Sequence, residues 1–368
     1  GIEHIKETID KKNIKVNKDG IESIILDSEK KIEADLYIDC SGFRSLLLED
    51  VMGVEFESIE DMIPNNKAWA TRIPYTNPHE QMWPYTLCTA VENGWIWEIP
   101  LYSRLGSGYV FSDRFISDDD ALVQFQQNLI KKGHKSPEKL DYKLIKMRNG
   151  CHKKFWVKNV VAIGLSSGFI EPLESNGLYT THENLHSLTQ ALERKGMVNS
   201  WDREQFNGKC LIQFAGFIEF VALHYMLSHR SDTEYWKEIS ERNWIDIQNP
   251  NKHVAKTSNL DIFPSTAIGS SWLDRCSGFG WTGKDISSGI PYISTGLHNF
   301  PIDASSIDRL WVDKNFGNLN LDGTANAYSY YKNHISELNQ RRDRWKKLAD
   351  SCQNHYEYLK EHVYNETE

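Results

Sequence analysis

The stretch VKNVVAIGLSSGFIEPLESNG (157–177) decides how the rest of the chain is read. Its first part, VKNVVAIG (157–164), ends in a continuous apolar run, the pattern of a strand covered on both faces. A glycine-punctuated loop follows, and residues 177–194 have helical periodicity. A strand–glycine loop–helix unit points backbone N–H groups at whatever lies above the strand end. In an open α/β sheet that position holds the ligand. The run 157–164 is therefore expected to be a central strand that delivers residues 164–168 to a ligand groove. Glu171 and Glu174 stand three apart around Pro172. A carboxylate beside a partly apolar cavity can serve as a general base, whereas a Glu near a helix start more commonly complements the helix dipole. The two residues alone leave both roles open.

Gly164 to Gly168 also satisfies G-x-S-x-G, the nucleophile elbow of serine hydrolases. That elbow needs a helix to begin at the serine. Here Phe169, Ile170, Glu171 and Pro172 intervene, and the proline stands where a helix interior would be, so a hydrolase is not expected.

Upstream, 14–16, 21–26 and 34–39 have the look of short strands. So do 68–73, 84–91, 94–100 and 108–112, which are rich in Trp, Tyr, Thr and Val. Residues 118–132 form a helical pattern with acidic residues in its first turn and Lys131, Lys132 and Gly133 closing it. DLYIDCSGFRS (35–45) reads as a buried strand running into a Ser-Gly turn. In GWIWEIP (94–100), Trp95 and Trp97 lie two apart and so share one strand face. The two rings make either a rigid wall or a plain core stripe.

After Trp201 helices dominate, over 204–240 and 327–362. They flank an irregular Gly/Ser/Asn/Pro-rich stretch, 249–324, that is expected to line something.

The 368 residues carry 42 Lys plus Arg against 51 Asp plus Glu, a net charge of −9 that offers no basic footprint for nucleic acid. The most apolar run, LIQFAGFIEFVALHYML (211–227), is shorter than the roughly 20 apolar residues of a bilayer span, and Gln213 and Glu219 interrupt it. A buried core helix is expected, and no membrane partner. Six cysteines without any C-x-x-C indicate neither a zinc site nor a disulfide framework. They are expected to be reduced, mostly buried thiols in a cytoplasmic protein that binds no metal.

Taken together, DLYIDCSGFRSLLL (35–48), W-x-W-x-I-P (95–100), RLGSGYVFS (104–112), GLSSGFIEPLESNG (164–177) and FIEFVALHYMLSHRSDTEYW (217–236) occur in this order in flavin-dependent tryptophan halogenases, which the chain resembles in register from residue 1 to about 236. The resemblance implies an oxidoreductase of α/β (α+β) class. Residues 1–195 would be the C-terminal part of a mixed-sheet FAD-binding lobe, and 196–368 a mostly helical substrate-binding lobe.

The resemblance further implies FADH2 supplied by a separate, transiently bound flavin reductase, with oxygen and chloride or bromide. Halide attacks a C4a-hydroperoxyflavin, and the resulting hypohalous acid reaches tryptophan or another electron-rich aromatic such as an indole. Trp95 and Trp97, with Ile99 and Pro100 completing the motif, would separate flavin from substrate. Glu174 would polarise the halogenating species and accept the ring proton, with Ser175 beside it. Halide would rest on the amides of Asn176 and Gly177, where Asn176 replaces the family's Thr. Flavin contacts fall on Gly164, Leu165 and Leu178, with an adenine-side contact near Ile9. A homodimer is left open.

The family's G-x-G-x-x-G segment and its lysine have no counterpart here. The chain, which starts at Gly1, is therefore expected to be N-terminally truncated and inactive on its own. Single-component flavin hydroxylases commonly carry Gly-Asp after the equivalent strand. Gly164-Leu165 and the tryptophan pair favour a halogenase over a flavin-dependent aromatic monooxygenase, and an inactive truncated halogenase fragment stands as the other alternative.

Overall fold

The computed structural model describes residues 2–194, 198–226, 228–241 and 324–364. The strands are β1 (Ile14–Asn17), β2 (Gly20–Ile25), β3 (Lys31–Ile32), β4 (Tyr37–Asp39), β5 (Phe56–Ser58), β6 (Lys67–Ile73), β7 (Leu87–Val91), β8 (Gly94–Leu101), β9 (Arg104–Phe111), β10 (Tyr142–Lys146), β11 (Gly150–His152), β12 (Trp156–Val157), β13 (Val160–Ala162) and β14 (Gly168–Phe169). The helices are α1 (Pro78–Gln81), α2 (Asp118–Lys131), α3 (Asn176–Leu192), α4 (Ser200–Met226), α5 (Glu234–Glu241), α6 (Thr324–Ser351) and α7 (His355–His362). The expected irregular stretch falls outside the described residues except for Thr324, where α6 begins. The mixed α/β class is as expected.

The largest layer is an antiparallel sheet in the order β10-β6-β9-β8-β7. Alternation along β8 and β9 splits its two faces. Ile96, Leu105, Tyr109 and Phe111 look one way, onto Ala121, Phe125 and Leu129 of α2. These three lie four apart, one stripe of the helix. The start of α2 is fixed by Ser117, whose Oγ accepts from the Asp120 amide at 3.1 Å, and its end by Gly133 at φ 88°. Trp95 and Val110 look the other way, into a cluster that runs without a break from Ile59 to Ile239 and draws in α3, α4 and α5. Along α4, Phe206, Cys210, Phe214, Ile218, Ala222 and Tyr225 are buried, so the apolar run is a core helix as expected. No helix among the described residues is long and apolar enough to cross a membrane. Pro100 is tolerated because β7 ends opposite Glu98, which leaves no neighbour on that side to need its missing N–H.

Residues 157–164 are not one strand. Lys158 takes a left-handed conformation, φ 54°, and with Asn159 makes a tight turn between β12 and β13. The reason lies in Asn159: its side-chain amide bonds both the N–H and the C=O of Ile21, at 2.9 and 2.8 Å, pinning the turn to β2. The central placement holds. Val160, Val161 and Ala162 are fully buried between β12 and the parallel strand β4. Two expected helices are interrupted, at 228–233 and at 352–354, and the sheet strands β7 and β9 differ from 84–91 and 108–112 at their N-terminal ends. The cysteines also depart from expectation: Cys40, Cys88 and Cys352 are exposed, and only Cys151 and Cys210 of the described five are buried.

At the end of β4, Asp39 is buried and its carboxylate accepts from the Ser41 amide and hydroxyl and from the amides of Leu47 and Leu48, which open a π-helical turn over Leu46–Val51. This one side chain turns DLYIDCSG from strand into loop. Asp39→Ala strands the buried Leu47 and Leu48 amides and is expected to lower unfolding stability by about 3 kcal/mol in urea titration. A loss below about 1 kcal/mol would show that the turn holds itself.

Candidate functional site

Trp95 and Trp97 do share one face of β8, with ring centroids 6.1 Å apart. Their environments differ. Trp97 is half-buried and lies across Gly108, its partner on β9: a Cβ on Gly108 would fall 2.2 Å from the indole ring and 2.5 Å from the Trp69 carbonyl oxygen. Only glycine leaves room for that ring. Trp95 is 3 % exposed, and its indole N–H donates to Glu171 Oε1 at 3.1 Å.

Glu171 is fully buried. Besides Trp95, its carboxylate accepts from the Tyr225 hydroxyl and, at 2.9 Å, from Asn65 Nδ2. Asn65 Nδ2 also donates to the Tyr225 oxygen at 2.8 Å, and Asn65 Oδ1 accepts from the Tyr235 hydroxyl at 3.0 Å. Burial pushes Glu171 from 4.5 up to about 7, against the opposing pull of these donors and of His224. One turn on, Pro172–Glu174 is a short 3-10 turn, and Glu174 Oε1 lies 2.7 Å from His224 Nε2. Consecutive residues of α4, His224 and Tyr225, thus hold the two carboxylates of E-P-L-E apart.

Ser175 is left-handed, φ 53°, and α3 starts directly after it with no side-chain cap. Its first amides, from Asn176 and Gly177, are the uncapped donors of a helix N-terminus. Asn176 is itself buried, with Nδ2 lacking a partner. The preceding loop is held from behind. Ser45 Oγ donates to the Ser166 carbonyl at 2.7 Å, and the backbone and Nδ1 of His152 bond the Ser167 carbonyl at 3.0 and 3.1 Å. His152 Nε2 meets Glu49, which Arg148 grips with two nitrogens; the guanidinium and the imidazole hold the Glu49 carboxyl below its usual range. The Ser166 hydroxyl is buried and bonded to the Asp39 and Ile163 carbonyls, so it is no nucleophile.

The sequence model of the tryptophan halogenases matches residues 1–262. The chain belongs to the tryptophan halogenase family. The 7-chloro-L-tryptophan 6-halogenase KtzR of Kutzneria sp. (strain 744) is 35 % identical over 243 residues, 66 % of this chain and 46 % of that protein. The tryptophan 7-halogenase RebH of Lentzea aerocolonigenes is 33 % identical over 246 residues, 67 % and 45 % of the two chains. The chain thus spans about half the length of the curated relatives it matches. Among solved structures, apo VirX1 superposes with a TM-score of 0.78 at 33 % identity over 99 % of this chain and 66 % of its own. The tryptophan 6-halogenase SttH of Streptomyces toxytricini gives 0.72 at 27 % over 98 % and 63 %.

In this family member the W-x-W-x-I-P strand and the E-P-L-E-S turn, 76 residues apart in sequence, meet through the Trp95–Glu171 bond. Ile99 and Pro100 continue β8 beyond the indoles and are partly exposed. Leu165 and Leu178 present apolar side chains to solvent, 43 and 77 % exposed. Gly164, at φ 75°, has only Thr181 Oγ1 near where a Cβ would be, so the loop crest is open. An apolar, anion-bearing flat ligand such as a flavin fits this donor-rich, leucine-flanked edge. Ile9 lies apart, against the cluster of Ile21, Leu48 and Val160 on the far side of β13 from Trp95. The sequence did not single out Asn65, Tyr225 or Tyr235 for any role. The only advance signal was that Tyr225 and Tyr235 fall inside the family-like stretch 217–236.

Two outcomes follow from this geometry. Gly108→Ala should displace the Trp97 ring, seen as a changed near-ultraviolet circular dichroism spectrum with a stability loss of about 2 kcal/mol; an unchanged spectrum would mean that the ring does not rest there. Glu171, raised when folded, binds a proton that the unfolded chain releases. Its stabilising contribution is therefore complete below pH 4.5 and lost as pH rises through about 7, a change of about 3 kcal/mol. Thermal unfolding of wild type against Glu171→Gln should show that difference between pH 4.5 and 7.5, and parallel pH profiles would contradict it.

Proposed function

We propose that the protein halogenates an electron-rich aromatic, with tryptophan or a related indole as the substrate class. It would use reduced FAD, oxygen and chloride or bromide, with the flavin reduced by a separate reductase. The observation that carries this reading is the Trp95–Glu171 bond, which joins the indole wall to the carboxylate turn on one face. The family match and the relatives named as tryptophan halogenases support it.

In this reading the loop edge at Gly164, Leu165 and Leu178 holds the flavin. The chemistry a reduced flavin supplies here is the two-electron oxidation of halide at the expense of oxygen. The amides of Asn176 and Gly177 hold the halide at the N-terminus of α3, where the helix dipole favours an anion. Because the contact is through the main chain, Asn at 176 serves as well as Thr. Trp95 and Trp97 keep flavin and substrate on separate sides, and Trp97 is held flat across Gly108. Electrophilic attack on an indole leaves a cationic ring whose proton must leave. Glu174, with Ser175 beside it, stabilises that charge and takes the proton. His224 engages Oε1 and so fixes how the carboxylate is presented.

A positioned carboxylate base is worth roughly 10²–10⁴-fold in rate. In the full-length protein, Glu174→Gln should keep flavin binding, followed by fluorescence quenching, and lose at least about 10²-fold in halogenated product measured by mass spectrometry. Equal product formation by wild type and Glu174→Gln would remove Glu174 from the mechanism.

A further inference from the structure

We propose that Glu171 is the positioning residue of the indole wall, and that Glu171, Tyr225, Tyr235 and Asn65 form a buried network that takes up one proton by turning the Tyr225 hydroxyl while it holds the Trp95 ring. The inference deepens the function proposed above, since it rests on Trp95 as part of the wall between flavin and substrate.

The bonding pattern has two complete states. With Glu171 ionised, the carboxylate only accepts. Trp95 Nε1–H and the Tyr225 hydroxyl donate to Oε1 and Asn65 Nδ2 to Oε2, Asn65 Nδ2 donates also to the Tyr225 oxygen, and the Tyr235 hydroxyl ends on Asn65 Oδ1. With Glu171 protonated, its new O–H needs an acceptor. Trp95 and the Asn65 amide nitrogen are donors only, so a hydroxyl must turn. Tyr225 can do so: its oxygen accepts from Glu171, and its own proton swings to the Tyr235 oxygen, which bears on it directly. Tyr235 still donates to Asn65 Oδ1. One proton enters, one O–H bond rotates, no backbone moves, and no polar atom of the network is orphaned in either state. Such a chain spares the carboxyl the further cost of an unpaired buried hydroxyl when it takes up the proton.

The groups that face Glu171 come from every element around it. They are Trp95 of β8, Asn65 from the turn before β6, His224 and Tyr225 of α4, Tyr235 of α5, Cys88 of β7, and Glu174 from its own turn. Of these, His224 favours the ionised form of Glu171, while burial opposes it and dominates. What changes at Trp95 is the partner of its N–H: a carboxylate in one state, the weaker-accepting hydroxyl oxygen of a carboxylic acid in the other. The indole is held in both, more tightly in the ionised one.

The test is the indole ¹H–¹⁵N resonance of Trp95 in ¹⁵N-tryptophan-labelled full-length protein, assigned with Trp95→Phe and followed from pH 5 to 9 without flavin, halide or substrate. The resonance should move downfield as pH rises, with a midpoint near 7, and Glu171→Gln should abolish the movement. Tyr235→Phe removes the donor to Asn65 Oδ1 in both states alike, but the acceptor that Tyr225 needs only in the protonated one. Its midpoint should therefore fall by about 0.7 pH unit, the equivalent of one net hydrogen bond. A resonance that does not titrate, or that titrates equally in Glu171→Gln, overturns the assignment of the proton to Glu171. An unchanged midpoint in Tyr235→Phe overturns the hydroxyl relay. Failure of the protein to halogenate would count against the proposed function and leave these resonances to decide the network by themselves.

Discussion

The meeting of Trp95, Asn65 and Tyr225 on the buried carboxylate of Glu171 is the constraint on which the rest of the site depends. A carboxylate taken wholly out of water is unfavourable unless donors surround it, and three donors do so from three separate parts of the chain. Each is held in turn by its own element: Trp95 by the β8–β9 ladder, Tyr225 by the apolar stripe of α4, Asn65 by the Tyr235 hydroxyl from α5. Removing Asn65 takes away the donor to Oε2, and removing Trp95 or Tyr225 leaves Oε1 with one donor in place of two. The sheet, the carboxylate turn and the helical layer are thereby tied in one relative geometry, and Glu174 is set beside His224 as a consequence.

The same turn separates two carboxylates that sequence alone treats alike. Glu171 points inward, against the sheet, and is pushed up by burial. Glu174 points towards His224 and remains partly open to solvent. Pro172 makes this division possible because it forbids a continuous helix through the turn, and left-handed Ser175 then restarts the chain as α3 with its first amides uncapped. A buried anchoring carboxylate, a half-exposed second carboxylate and an uncapped helix start are thus set within six residues of chain. The Gly164–Gly168 loop beside them is fixed from behind by Ser45 and His152, which leaves its leucine-flanked edge outward.

Much of this was legible in the sequence where the signal was local. The two-residue spacing of Trp95 and Trp97 gave their shared face, the acidic first turn from Asp118 and the closing Gly133 marked the ends of α2, and the apolar run at 160–163 marked a buried strand. What escaped was non-local. Nothing near Asn159 announces that its amide will bind Ile21, so the hairpin at Lys158 was read as a straight strand. Asn65 and Tyr235 acquire meaning only when a carboxylate arrives from more than 60 residues away. Glu171, flanked by Pro172, resembled a helix cap until burial and the Trp95 bond made it the centre of the site. The exposure of Cys40 and Cys88 likewise depends on which loop covers a strand end, which composition does not encode.

Halogenation and oxygenation diverge at one observable, the atom added to the ring. Incubation of the full-length protein with tryptophan, reduced FAD, ¹⁸O₂ and bromide, with the product analysed by mass spectrometry, reads that atom directly. The predicted result is a product that carries bromine, requires bromide and contains no ¹⁸O. A product carrying ¹⁸O, formed equally well without bromide, would contradict the halogenase function.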